Sequence, residues 1–167
     1  MRRMRLFIAI PLGDAMRKSL TAMQADLRAQ RVRGNFTPPE NLHLTLAFIG
    51  EYPDPDGVLE ILPPLQPFEL RLNGFGAFGD LWWASLERSE PLENYVRRLR
   101  RALAEAGIPF DRKRFSPHVT LVRRAEGRPV LEVPPTSMTV SRVCLMRSDR
   151  GRSGMIYTEL GCREALI

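Results

Sequence analysis

Apolar residues fall along this chain in two rhythms, one suited to strands and one to helices. Met4 to Leu12 is a nearly unbroken apolar run and predicts a buried strand. From Gly13 to Arg31, Met16, Leu20, Met23 and Leu27 recur at spacings of four, three and four, which predicts a helix with one apolar face. Pro38 and Pro39 mark a loop, and Leu42 to Ile49 predicts a second strand ending at Gly50, so this stretch reads as a βαβ-like unit. Pro53 to Gly57 is a turn region, Val58 to Leu65 a short helix broken at Pro63 and Pro64, and Phe68 to Leu72 an alternating strand. Gly74, Gly76 and Gly79 punctuate the loop expected after it.

The same order then recurs. Leu81 to Leu86 predicts a strand, Pro91 to Ala106 a helix with Leu92, Val96, Leu99 and Leu103 on one face, and Pro117 to Val122 another strand. Ile8 stands 35 residues before His43, and Trp83 stands 35 before His118, so each histidine takes a comparable place in its own strand, helix, strand unit. We read this as a pseudo-duplication; the competing explanation is coincidence between narrowly distributed element lengths. Two further strands, Ser137 to Arg147 and Met155 to Leu160, flank the turn-rich Ser148 to Gly154.

A chain of 167 residues, 44% hydrophobic and 26% charged, predicts a single domain over 1–167 with a core large enough to fold unaided. The run Leu6 to Leu12 behind Arg2, Arg3 and Arg5 is too short for a signal peptide, contains Pro11 and leads into charge, and no stretch approaches the roughly 20 apolar residues of a membrane span. Two cysteines, Cys144 and Cys162, fit a soluble cytoplasmic protein with free thiols, with a disulfide between them as the alternative, and their spacing suggests no zinc site. The net charge of +6 and pI of about 10.1 point to an anionic partner. Arginine dominates the 25 basic residues and suits planar phosphate recognition in RNA, although a GC-rich or thermophilic genome gives the same bias.

The chemistry lies in a repeated tetrapeptide. The sequence has two histidines, and each is followed by the same pattern: His43-Leu44-Thr45-Leu46 and His118-Val119-Thr120-Leu121. With seven threonines and 22 leucines in the chain, the chance of that match is roughly three in a hundred thousand, well below ordinary motif noise. Residues two apart on a strand share a face, so each histidine and its threonine point one way while the apolar residues point into the core. If the halves meet about a pseudo-two-fold axis, two imidazoles and two hydroxyls converge on one cleft. Such a cleft fits a phosphate: hydrolysis of a cyclic phosphodiester needs a base for the attacking water and an acid for the leaving ribose oxygen, and imidazole titrates near working pH. Threonine hydroxyls and a nearby arginine would stabilise the developing charge, so the scheme requires no metal or other cofactor. A lone strand histidine is more often structural, but a matched pair is not explained that way. A two-histidine metal site would lack an adjacent carboxylate or cysteine.

The paired motifs resemble the two-histidine phosphoesterase superfamily, specifically its RNA 2',3'-cyclic phosphodiesterase branch, also called 2'-5' RNA ligase. The likeness covers nearly the whole chain. It extends to Arg5-Leu6-Phe7-Ile8-Ala9, to Glu40-Asn41-Leu42 running into the first motif and on through Ala47-Phe48-Ile49-Gly50, to Arg123, to Arg147-Ser148, and to Gly154 and Tyr157. The resemblance implies an α+β bilobal fold with two pseudo-symmetric lobes, each with an antiparallel sheet and helices, around a central cleft. It implies hydrolysis to a 2'-phosphomonoester, with His43 as proton donor and His118 as proton acceptor, acting on RNA with 2',3'-cyclic phosphate ends or on cyclic nucleotides. The partners expected are therefore RNA and not membrane, and the expected state is a monomer. Alternative readings are 2'-5' ligation of tRNA halves and a non-catalytic RNA-end binding module.

Arg123 follows His118 by five residues, so a regular strand aims it away from the histidine face. The resemblance implies phosphate binding, which requires a bulge or the strand's end to swing it round; otherwise it is a solvated arginine beside Arg124. Phe7 and Phe36 are candidates for stacking a base, a contact typically worth about 1 to 3 kcal/mol, or else core residues at strand ends; the family often has tryptophan at the position of Phe36. Arg97, Arg98, Arg100 and Arg101 read as the solvated face of a helix. Arg112, Lys113 and Arg114, just before the second motif, are better placed to follow an RNA backbone.

Overall fold

The computed structural model describes residues 3–127 and 129–166; Arg2 and the ends of the 1–167 domain expectation lie outside them. In chain order the elements are β1 (Met4–Pro11), α1 (Asp14–Ala29), β2 (Arg33–Phe36), a 3-10 turn (Pro39–Asn41), β3 (His43–Tyr52), α2 (Pro55–Ile61), β4 (Phe68–Phe78), β5 (Leu81–Leu86), α3 (Glu90–Glu105), β6 (His118–Glu126), β7 (Ser137–Val140), β8 (Arg142–Gly151) and β9 (Gly154–Glu164). They form two antiparallel sheets, ordered β3-β1-β8-β9 and β2-β6-β5-β4-β7. The fold is α+β, as the resemblance implied.

The two lobes repeat one plan. In the first sheet β3 lies beside β1 and β1 beside β8; in the second, β6 lies beside β5 and β5 beside β4. A helix intervenes between β1 and β3, and another between β5 and β6. Both helices end the same way. Val32 donates to Leu27 O (3.0 Å) and Arg31 to Arg28 O (3.0 Å), while Ile108 donates to Leu103 O (2.9 Å) and Gly107 to Ala104 O (3.1 Å). This is the double hydrogen bond that closes a helix through a left-handed residue, and that residue is Gly107 (φ 71°) in α3 but Arg31 (φ 66°) in α1.

The helices cross between lobes. The apolar stripe of α1, Met16, Leu20, Met23 and Leu27, is buried against β6 and β7 of the other sheet. In return α3, capped by the Ser89 side chain on Leu92 N–H at 3.3 Å, lies against β3, and α2 lies against β8 and β9. The buried apolar residues of both lobes consequently make one continuous core. Such exchange also corrects the βαβ reading: β1 and β3 are antiparallel neighbours and their linking helix does not cover their own sheet.

Other expectations also need correction. Gly74 and Gly76 lie inside β4 rather than in a loop, and a Cβ on Gly76 would sit 2.5 Å from Trp83 Nε1, so the glycine makes room for that indole. Ser137 to Arg147 is two strands: β7 pairs with β4, and after Ser141 the chain enters β8 in the other sheet. β2 falls in the stretch expected to be loop, because its Arg-Gly-Asn-Phe sequence has no apolar alternation. The matched spacing of 35 residues is one residue out in register, since Ala9, not Ile8, faces Thr45 as Trp83 faces Thr120. Finally, Cys144 and Cys162 are register partners on β8 and β9 and form a disulfide instead of free thiols. Among the described residues no helix is long and apolar enough to cross a membrane.

Candidate active site

Both motif strands begin at their histidine. His43 and Thr45 are half-buried while Leu44 and Leu46 are buried; His118 and Thr120 are half-buried while Val119 and Leu121 are buried. The strand's two-residue period thus sorts each motif into a core face and an open face. β3 and β6 meet where the lobes adjoin, and all four polar side chains line one cleft of about 1050 Å³.

Each imidazole is held by the same device. His43 Nδ1 lies 2.6 Å from the Asn41 carbonyl oxygen and His118 Nδ1 lies 2.7 Å from that of Ser116, two residues upstream in both cases. A carbonyl can only accept, so Nδ1 carries the proton and Nε2 is the nitrogen left for chemistry. His43 Nε2 is 2.7 Å from Thr45 Oγ1. Asn41 is itself buried and its amide donates to Met155 O (2.8 Å), which ties the carbonyl supporting His43 to the β8–β9 hairpin. Phe7 and Tyr157 enclose the His43 ring at centroid distances of 5.0 and 5.2 Å, and Trp83 lies 5.6 Å from His118. Burial lowers the His43 pKa below 6.5, the hydrogen bond to Asn41 opposes this, and the charges of Arg123 and His118 push it down further.

Bulges complete the site. In β6, Thr120 pairs with Trp83 and Val122 with Trp82, leaving Leu121 as an extra residue. Two consecutive residues, Leu121 and Val122, are then buried, the alternation reverses, and Arg123 returns to the histidine face, where it lines the cleft. β3 does the same: Thr45 pairs with Ala9 and Ala47 with Ile8, Leu46 is the extra residue, and Phe48, five residues after His43 as Arg123 is after His118, reaches the cleft. Gln24 braces the β6 bulge. Its buried amide on α1 donates to Thr37 O (2.8 Å) and Leu121 O (3.0 Å), and Thr37 N–H donates to the same Leu121 oxygen (3.0 Å).

The structure therefore brings His43, Thr45, His118, Thr120, Arg123 and Phe7 to one cleft. It does not bring Phe36, which is half-buried outside the lining with the Arg28 guanidinium 4.1 Å over its ring. Sequence reasoning missed the cleft role of Phe48, although an exposed phenylalanine (53%) beside a motif is a signal that duplication would have exposed. It also missed Gln24, a polar residue on the apolar side of α1. Among the described residues, eight basic side chains line the cleft against three carboxylates, Glu51, Asp111 and Asp149, so the site attracts anions.

The family model of the 2'-5' RNA ligase superfamily matches residues 14–152. The chain belongs to that superfamily. An RNA 2',3'-cyclic phosphodiesterase from Thermus thermophilus is 35% identical over 178 aligned positions, covering 94% of this chain and 88% of its own. Another of the same name from Methanothermobacter thermautotrophicus is 28% identical, covering 95% and 97% of the two chains. Among solved structures of the superfamily's fold, E. coli LigT complexed with 3'-AMP superposes over 99% of each chain with a TM-score of 0.82 at 27% identity. The superfamily resemblance read from the two motifs is thereby borne out.

Proposed function

We propose that this chain is an RNA 2',3'-cyclic phosphodiesterase that opens cyclic phosphate ends to 2'-phosphomonoesters by acid and base catalysis at His43 and His118. One observation carries the reading: two imidazoles, each held through Nδ1 by the carbonyl two residues upstream, line a single cationic cleft together with Thr45, Thr120 and Arg123. His118 Nε2 takes a proton from water as its oxygen attacks phosphorus, and His43 Nε2 donates a proton to the ribose 3'-oxygen as the P–O3' bond breaks. The hydroxyls of Thr45 and Thr120 and the Arg123 guanidinium hold the non-bridging oxygens, where charge gathers in the transition state. A depressed His43 pKa makes the imidazolium a strong acid, and the arriving phosphodiester anion offsets the Arg123 and His118 charges that disfavour it. Phe7 and the exposed Phe48, with ring centroids 6.3 Å apart, give the base an apolar wall.

The unit proposed is one bilobal domain over 1–167, a cytoplasmic monomer acting on RNA ends or cyclic nucleotides. The test is incubation with 2',3'-cyclic AMP in EDTA and chromatographic separation of 2'-AMP from 3'-AMP. The 2' product is expected, and no turnover of any cyclic-ended substrate would refute the proposal. His43→Ala and His118→Ala should each reduce kcat by at least about a hundredfold with the fold intact; a variant that keeps full activity removes its residue from the scheme.

A further inference from the structure

Four arginines wrap the exposed side of α3 between the active-site cleft and a second cavity. Arg100 lines the cleft, and its guanidinium donates to the Lys113 carbonyl at 2.7 Å, next to Lys113 and Arg114 on the same wall. Arg97, Arg98 and Arg101 line the second cavity, about 790 Å³, which lies between α3 and the Pro64–Phe68 segment. On a helix of 3.6 residues per turn, Arg100, Arg97, Arg101 and Arg98 follow one another in steps of about 40° to 60° around the axis. They form a continuous cationic band from cleft to cavity.

This band is poor in acidic partners. Among the described residues none of the four has a carboxylate within ion-pair distance, the ion pairs being Arg71–Glu69, Arg88–Glu93, Arg142–Glu159 and Arg147–Asp149. Arg97 and Arg98 instead donate to the Asn94 side chain (3.2 Å) and the Pro64 carbonyl (3.0 Å), both neutral acceptors, and Glu90 is the one carboxylate among the described residues lining that cavity, against three arginines. Like charges crowded onto two helical turns repel, and a polyanion laid across them removes the repulsion while releasing its own counterions. The cavity floor of Pro64, Leu65 and Phe68 offers apolar surface as well as charge, the combination that suits single-stranded nucleic acid.

We propose that the RNA strand upstream of the cyclic phosphate leaves the cleft past Lys113 and Arg114, crosses α3 on Arg100, Arg97 and Arg101, and ends in the second cavity. The inference rests on the proposed RNA-end activity and adds to it an exosite that makes the enzyme selective for RNA chains over mononucleotides. Arg97 and Arg101 are outside the cleft lining, so removing them tests the exosite alone.

The experiment compares the wild-type chain with Arg97→Gln/Arg101→Gln. Two readouts are taken: kcat/KM on 2',3'-cyclic AMP and on a ten-nucleotide RNA with a cyclic end, and Kd for a fluorescein-labelled ten-nucleotide RNA with a 3'-phosphate by anisotropy. The variant should retain full turnover of cyclic AMP, lose about tenfold in kcat/KM and in affinity for the RNA, and show a salt dependence of log Kd shallower by about 1.4, for two single-strand phosphate contacts at about 0.7 each. Equal RNA affinity in variant and wild type overturns the exosite, as does a wild-type chain with no preference for the longer substrate. Failure on cyclic AMP in both proteins instead counts against the proposed activity, and the anisotropy measurement still decides the exosite.

Discussion

Replacing Gln24 with methionine should disable Arg123 from across the core. The Gln24 side chain is 2% exposed, and its amide supplies hydrogen bonds to the part-buried carbonyl of Thr37 and the buried carbonyl of Leu121. Methionine keeps the approximate volume and removes both donors. The Leu121 oxygen retains Thr37 N–H, so it forfeits about 1 kcal/mol, while the Thr37 oxygen is stranded at a cost of about 1 to 3 kcal/mol. A total near 3 kcal/mol corresponds to a fall in Tm of roughly 6 to 12 °C for a chain of this size. The catalytic effect is separate. Leu121 is the extra residue whose presence turns Arg123 toward the histidines, and a shift of about 1 Å at such a group costs on the order of a hundredfold in rate. Steady-state kinetics on 2',3'-cyclic AMP at 25 °C, below the melting range, should therefore give a kcat/KM for Gln24→Met close to that of Arg123→Ala. Adding Gln24→Met to Arg123→Ala should then lower the rate little further, because both act through one guanidinium. A variant that melts early but keeps wild-type kcat/KM, or two fully additive losses, refutes the bracing role.

Arg123→Gln should raise the pH at which the His43 ring protons titrate by NMR, because the guanidinium charge is one of the causes that hold its pKa below 6.5; an unmoved titration contradicts that proximity. Since the unfolded chain binds this proton more readily than the folded one, His43 contributes full stability above about pH 6.5 and loses it as pH falls through the window down to the depressed pKa. Denaturant melts should accordingly show a shallower decline in that window for His43→Gln than for the wild type. Reducing the Cys144–Cys162 disulfide, whose ends are 18 residues apart, should cost about 3 kcal/mol in melts with and without dithiothreitol. Two alkylatable thiols in the untreated native protein, counted by mass spectrometry, would remove that link. Arg31→Gly should raise stability by roughly 0.5 to 1 kcal/mol, because glycine occupies the left-handed end of α1 without the side-chain clash arginine carries. No gain in Tm would contradict strain at Arg31.

Local signals in the sequence carried most of the elements. The stripes Met16-Leu20-Met23-Leu27 and Leu92-Val96-Leu99-Leu103 became the buried faces of α1 and α3 because helical periodicity is written in neighbouring residues. Each histidine shares an open face with its threonine because a strand's two-residue period needs no tertiary information. Partner choice was not legible in this way. Nothing in the α1 stripe says which sheet it will cover, and around Ser141 the one local mark of the step between sheets is that Arg142 stands where the Met138, Val140 alternation calls for an apolar residue, before the unbroken run Val143 to Met146. Arg123 marks the boundary between the two cases: its parity showed that a bulge was required, while only the register shift opposite Trp82 and Trp83 showed where. The position of Phe36 outside the cleft lining was hidden for a similar reason, as the ring belongs to β2, an edge strand whose outer neighbour, Arg28, comes from another element.

Because α1 covers the sheet containing β6 while α3 covers the sheet containing β3, neither half of this chain can hide its own apolar helix face. A fragment ending after α2 would expose the stripe meant for its absent sister, and so would a fragment starting at β4. The duplication is thus locked into a single cooperative entity, like two clasped hands rather than two beads on a string. Any lesion that loosens the clasp is felt at the phosphate cleft, which exists only along the line where the two grips meet.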